Sequence, residues 1–258
     1  MKIYIITDLE GPAGVSRWDQ TRDVDAASKA VCMELLTREV NACVDGILDA
    51  DPDADVTVWD GHGSGGLDVL LFHPRAKLIA RGPIRAPYHL DETYDALFFV
   101  GQHAMAGTPE APLCHTYSST TVEYYKLNGV LVGEIGCRAV MAGTMGVPTC
   151  FIAGDDKAIA EAQALVPGIV GAVVKWGLAT ELAIHLSPVG AREAIRAQAA
   201  EAVAKIPDIE PVRMDPPYEF EARVYDGVDI GGYLRMGGEA LDARTVLIRR
   251  DNICDLPI

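Results

Sequence analysis

Three short stretches place metal-binding side chains directly after what reads as a β-strand. Asp8-Leu9-Glu10 follows the run 2–7, Asp60-Gly61-His62 follows 55–59, and Gly101-Gln102-His103 follows 96–100. Positions 8 and 10 point the same way on an extended chain, and two carboxylates on one side repel unless a cation lies between them. Carboxylate and imidazole together suit zinc, with manganese or cobalt as substitutes. Asp8, at the strand tip, is the better candidate to bridge two ions. Gly61 and Gly101 let the backbone turn sharply and present the next side chain. Each stretch alone is weak, because Asp-x-Glu after a strand often caps a turn and His after Gly is often a plain loop residue. Their joint placement at three strand ends carries the argument.

His115 lies just before another predicted strand and near His103 in sequence, which makes it a candidate proton carrier. Asp60 is placed either to hydrogen-bond a ligating imidazole or simply to turn the chain before Gly61. The other histidines read as structure: His73 as a cap before Pro74, His89 as a loop residue, and His185 as a half-buried residue on a helix before Ser187.

These residues need a scaffold that brings strand ends together. Apolar β-branched runs at 2–7, 55–59, 77–80, 96–100 and 148–153 read as strands. The spacing of Val24, Ala27, Val31, Leu35, Val40, Val44 and Leu48 predicts a helix to about residue 50. Further helices are expected at 134–145 and 155–166. Runs at 117–127 and 130–132 flank Asn128-Gly129, a hairpin signal. Strands alternating with helices mean an α/β fold, a three-layer sandwich with a largely parallel sheet. In such sheets, ligands bind beyond the carboxyl ends of the strands. The texture changes at Ser187-Pro188, an N-cap followed by a first-turn proline. A helix to about 205 and strands at 218–225 and 245–250 follow. The expected division is a catalytic domain at 1–187 and a smaller α+β unit at 188–258.

Bulk composition narrows the function. The 258 residues carry a formal net charge of −15, with 49% hydrophobic residues. Such acidity repels phosphate backbones, and no Lys/Arg-rich run offsets it, so nucleic acid is not an expected partner. No run approaches the ~20 apolar residues of a membrane helix. The six cysteines form no CxxC pair, which fits free thiols in a reducing compartment. The first residues do not look like a signal peptide, and the expected location is the cytoplasm.

The ordered motifs Ile-Thr-Asp8-Leu-Glu10-Gly, Asp60-Gly-His62-Gly, Gly-Gln-His103-Ala, His115-Thr and Gly-Glu134-Ile-Gly resemble the zinc-dependent D-aminopeptidase family of bacterial dipeptide operons. Ala153-Gly-Asp-Asp156, Val174-Lys175 and Leu186-Ser-Pro extend the likeness to about residue 250. The resemblance implies five metal ligands at Asp8, Glu10, His62, His103 and Glu134, and a catalytic role for His115. It implies peptidase action on short peptides with a free amino end, often a D-residue. It also implies a ring-shaped homo-oligomer, a decamer of two stacked pentamers. Arg138 stands where the family commonly has Asn, and Thr180 where an Arg is usual.

The expected function is a dinuclear aminopeptidase, with a non-peptide amidohydrolase as the alternative. A phosphoesterase is disfavoured by the lack of a basic cluster. Of two divalent ions, one is expected on Asp8, His62 and His103, the other on Asp8, Glu10 and Glu134. Arg138, one helical turn after Glu134, is expected at the active-site rim, either paired with an acidic side chain or reading a substrate carboxylate.

Overall fold

The computed structural model describes residues 1–22, 27–80, 82 and 84–258. Val24 of the reading above lies outside them. The chain begins with β1 (Lys2–Thr7), α1 (Ala27–Ala50), β2 (Asp55–Asp60), β3 (Ala76–Ile79) and β4 (Ala96–Gln102). An excursion follows through the hairpin β5 (Val122–Leu127) and β6 (Val130–Val132) into α2 (Glu134–Thr144). β7 (Thr149–Asp155), α3 (Asp156–Leu165), β8 (Val170–Ala179) and β9 (Leu182–His185) return to the main sheet. The rest is α4 (Pro188–Lys205), β10 (Tyr218–Val224), α5 (Gly231–Arg235), β11 (Glu239–Ala240) and β12 (Thr245–Arg250).

A seven-stranded sheet has the order β3-β2-β1-β4-β7-β8-β9. Neighbours are parallel except β8 with β9. β4 is buried along its whole length, and strands covered on both faces read as continuous apolar runs. From β1 the chain builds outward through β2 and β3, then crosses back to β4. Right-handed crossovers in opposite directions put their helices on opposite faces. α1 and α4 pack together on one side, and α2 and α3 contact each other on the other. The α1–α4 contact is close: a Cβ on Gly46 would come within 2.2 Å of the Arg196 carbonyl oxygen.

A five-stranded sheet, β11-β12-β10-β5-β6, joins tail strands to the hairpin of the excursion. β10 lies antiparallel between β5 and β12. Ser187 caps α4 by accepting from the Gly190 amide.

Two local expectations change. Residues 117–121 are turn rather than strand, with Tyr117 at φ 57°. The Tyr117 amide is drawn to the Glu134 carboxylate at 2.8 Å instead of a ladder partner. His185 ends a strand, not a helix: β8 and β9 form an antiparallel pair at the sheet edge.

Candidate metal centre

The register of the parallel sheet assembles the site. Thr7 lies level with Asp60 on one side and Val100 on the other. The residues that follow each strand therefore emerge together, at the point where the strand order reverses. The Asp8 amide donates to the Val100 carbonyl at 3.0 Å, and the Gly11 amide to the Gly101 carbonyl at 2.7 Å. Gly101 has φ +81°, and a Cβ there would lie 2.0 Å from the Asp8 carbonyl oxygen. Only glycine fits, so the 8–11 segment can fold over the tip of β4. Lys175 of β8 supports it from below, donating to the carbonyls of Glu10 and of Val15, the latter at 2.7 Å.

The three rim stretches and two residues of the excursion converge. His103 Nε2 lies 3.2 Å from Asp8 Oδ2 and 3.6 Å from Glu134 Oε1. His62 Nε2 lies 3.5 Å from Glu10 Oε1, and His115 Nε2 lies 3.7 Å from Glu134 Oε1. The His103 and His115 rings stack with centroids 4.1 Å apart. Ligand-type atoms of Asp8, Glu10 and His103 fall within 4.8 Å of one another, as do those of His103, His115 and Glu134.

The other ring nitrogen of each histidine is tied to backbone. Nδ1 faces the Gly65 carbonyl at 3.3 Å for His62, the Ala104 carbonyl at 2.9 Å for His103, and the Leu113 carbonyl at 2.9 Å for His115. A carbonyl only accepts, so these contacts put the hydrogen on Nδ1 and leave each Nε2 lone pair aimed inward. Asp60 does not touch a ligating ring. Its carboxylate accepts from the amides of Gly66 and Leu67. It thereby holds the loop whose Gly65 carbonyl orients His62, one step further out than expected.

The electrostatics show what the cluster lacks. Burial, then the charge of Glu10, pushes Asp8 up to about 7. Burial works against ionised Glu10 too, yet His62 holds it well below the usual carboxylate range. Glu134, opposed by burial but drawn by the neighbouring His103 and His115 imidazoles and the Tyr117 amide, falls to about 2. Burial pulls His62 down, and its bond to Glu10 more than reverses this, to about 9. Protons are therefore held where a cation would serve better. Glu10 Oε2 and His103 Nε2 are buried with no hydrogen-bond partner. Three carboxylates, inward lone pairs and orphaned donor atoms fit divalent metal of the zinc type.

A cavity of about 400 Å³ opens above the cluster, lined also by Trp18, Arg22, Tyr117 and residues 118–120. Trp18 meets His115 edge-on at 5.5 Å, and Arg22 stacks on Trp18 at 3.7 Å. Sequence reasoning passed over Trp18 and Arg22, which sit in the loop after β1 with no motif to mark them. Lys175 did carry a signal, a lone cation inside an apolar strand.

Arg138 is not at the rim. It is buried, with its guanidinium 4.2 Å from the Tyr88 ring and 5.3 Å from those of Trp59 and Tyr117. Among the described residues it forms no ion pair, so the expected acidic partner is missing. Trp59 and Tyr88 stack at 4.3 Å to make that box, which the helical spacing from Glu134 could not foretell.

A largely parallel α/β sheet with a buried carboxylate–imidazole cluster at its switch point defines a metallohydrolase class of protein. Residues 1–256 match the D-aminopeptidase family, and the chain belongs to that family of metal-dependent aminopeptidases. It is 31% identical to the D-aminopeptidase of Bacillus subtilis (strain 168) over 220 residues, covering 84% of this chain and 78% of that one. Among solved structures it superposes on the Zn-dependent D-aminopeptidase DppA of Bacillus subtilis, described as a self-compartmentalizing protease. The TM-score is 0.92 at 27% identity, over 99% of this chain and 93% of that one.

Proposed function

We propose that this chain is a dinuclear zinc aminopeptidase that removes the first residue of short peptides, D-residues included. The observation that carries this reading is the convergence of three inward Nε2 atoms with buried Asp8 and Glu10 and half-buried Glu134 at the base of one cavity. Glu10 lies beside His62, and Glu134 beside His103. We therefore assign Asp8, Glu10 and His62 to one ion and Asp8, His103 and Glu134 to the other, regrouping the division expected from sequence. Bound there, the ions supply Lewis acidity and a water of lowered pKa.

His115 does the proton work. Its Nδ1–H is held by the Leu113 carbonyl, so Nε2 is the free base. Burial, then the charge of His103, lowers its pKa below the ordinary value, which keeps it neutral near pH 7. It can then take a proton at Nε2 and deliver it to the departing amine. Trp18, packed on its edge, screens it from bulk water. Arg22 on the outer wall is placed to meet a substrate carboxylate.

The likeness to DppA extends the proposal to a ring-shaped homo-oligomer, a decamer. Leu178, Leu182 and Ile184 are exposed on the β8–β9 edge, an apolar strip that assembly would cover. Cytoplasmic location is proposed on the six free cysteines. No helix among the described residues is long and apolar enough to cross a membrane.

Metal analysis combined with a substrate panel tests the reading. Close to two zinc ions per chain and cleavage of D- or L-aminoacyl amides and dipeptides are expected. Cleavage confined to acyl amides without a free amine would replace the aminopeptidase by an amidohydrolase, and one metal or none would overturn the dinuclear site.

A further inference from the structure

A second, much smaller cavity touches the ligand cluster. Its volume is about 20 Å³, and Asp8, Gly61 and Glu134 line both it and the main pocket. Its remaining wall includes Arg138, Gln102, Thr7 and Trp59. A guest the size of a water molecule needs roughly 10–15 Å³ of such space, so there is room for one small particle.

The walls say what kind of particle. Arg138 is 8% exposed, and its Nη1 is buried without a hydrogen-bond partner. Three ring faces offset part of its charge, but rings do not satisfy N–H donors in the ring plane. Gln102 is 3% exposed, and its side-chain amide bonds no described residue. The Thr7 hydroxyl is already donated to the Trp59 carbonyl at 3.2 Å. An orphaned charged donor and an amide with no partner among the described residues thus border a space that fits a single guest.

The carboxylates on the same wall belong to the ligand cluster. Asp8 faces His103 through Oδ2 and accepts from the Leu9 amide at Oδ1, while Glu134 meets His103, His115 and the Tyr117 amide through Oε1. In the metal-loaded protein their charge would be neutralised by the ions, leaving Arg138 as an uncompensated buried cation.

We propose that this cavity is a site for one monovalent inorganic anion of halide size, held between the Arg138 guanidinium and the Gln102 amide. The inference rests on the reading of the adjoining cluster as a metal centre, and it makes the two sites interdependent. Without metal, Asp8 and Glu134 repel an anion. With metal, that repulsion is removed, and by linkage the anion strengthens metal binding in return.

Two measurements on the whole protein test it. The first is anomalous scattering from zinc-loaded crystals soaked in sodium bromide. A bromide peak between Arg138 and Gln102 is expected, and a water alone in that place overturns the proposal. The second is calorimetric zinc titration of metal-free protein in chloride against acetate, which is too large for the cavity, at equal ionic strength. The parent should bind zinc about 5- to 10-fold more tightly in chloride, and Arg138→Met should abolish the difference. The same preference in parent and variant counts against the site, since it would reflect chloride acting elsewhere. Should Arg138→Met fail to fold, Gln102→Met removes the second donor and must weaken the bromide peak. If zinc fails to bind the parent while bromide still occupies the cavity, the anion site stands and the metal reading falls. If neither binds, both fall.

Discussion

The rim of the parallel sheet and the excursion between β4 and β7 both deliver residues to one cluster, but they are held by different means. Asp8, Glu10, His62 and His103 follow three adjacent strands, so hydrogen-bonded register fixes where they emerge. His115 and Glu134 come from a long detour with its own sheet. They are docked by single contacts: the His115 amide to the Ala104 carbonyl at 3.3 Å, the Leu113 amide to the Thr180 carbonyl at 2.7 Å, and the Tyr117 amide to Glu134. In the proposed function the rim supplies the metal-binding floor, and the excursion brings the base and a last carboxylate over it. A site made this way can vary its chemistry through the excursion without disturbing the floor.

The largest expected effect breaks the floor. Asp8→Ala should lose both metals and essentially all turnover, because the proposed bridge serves both ions. His62→Ala should mainly empty one position, leaving about one ion per chain by metal analysis. Retention of two ions by Asp8→Ala would show that another residue bridges.

The next effect isolates the excursion. His115→Ala should reduce kcat by about 10²–10⁴-fold with zinc content unchanged. Loss of zinc from that variant would move His115 into the ligand set, as its place beside His103 and Glu134 permits.

Acidity offers a gentler probe of the rim. Burial pulls the His62 pKa down, but Glu10 outweighs that and pushes it up to about 9 when no metal is bound. Zinc must displace that proton. Zinc uptake near pH 7 should therefore release protons, and affinity should climb until the pH passes about 9. The same pair stabilises the metal-free fold fully below the ordinary His value of about 6.5, and this stability is lost as pH rises through about 9. Zinc binding that is flat between pH 6 and 9 would contradict a His62–Glu10 pair at the floor.

The smallest effect lies beneath the rim. Glu39, whose carboxylate accepts from the Ala13 amide at 2.9 Å, is pushed up by burial to about 8. Between about 4.5 and 8 the unfolded chain ionises this group while the fold resists, so stability falls as pH rises across that window. Glu39→Gln should remove that fall, a gain on the order of a few kcal/mol at pH 8 and none at pH 4. Urea midpoints at the two pH values measure it; an equal change at both would point to lost packing instead.

Much of the candidate floor is legible in the sequence. Asp8, Glu10, His62 and His103 announce themselves because a buried parallel strand is an unbroken apolar run, and a polar ligand type at its end stands out. Glu134 and His115 were legible only through ordered motifs shared with a family, since nothing local marks a carboxylate at the start of a helix as a ligand. The hairpin at Asn128-Gly129 was readable for a local reason as well, positive φ at both turn residues. The β8–β9 pair was not, because an edge strand with mixed burial has a weak period.

What the sequence determined by itself, then, was the set of strands, the residue types at their tips, and the chemistry those types allow. Tertiary structure alone decided which residues face each other. Sheet order set β1 between β2 and β4, the left-handed glycine at 101 let Glu10 fold in, and backbone carbonyls chose the tautomer of each histidine. Arg138 is the clearest case. Its spacing from Glu134 pointed to the rim, yet Trp59 and Tyr88 come from separate segments far from it in sequence, and only their stacking in space encloses it. Such contacts depend on chain segments with no shared period, so no local pattern can record them.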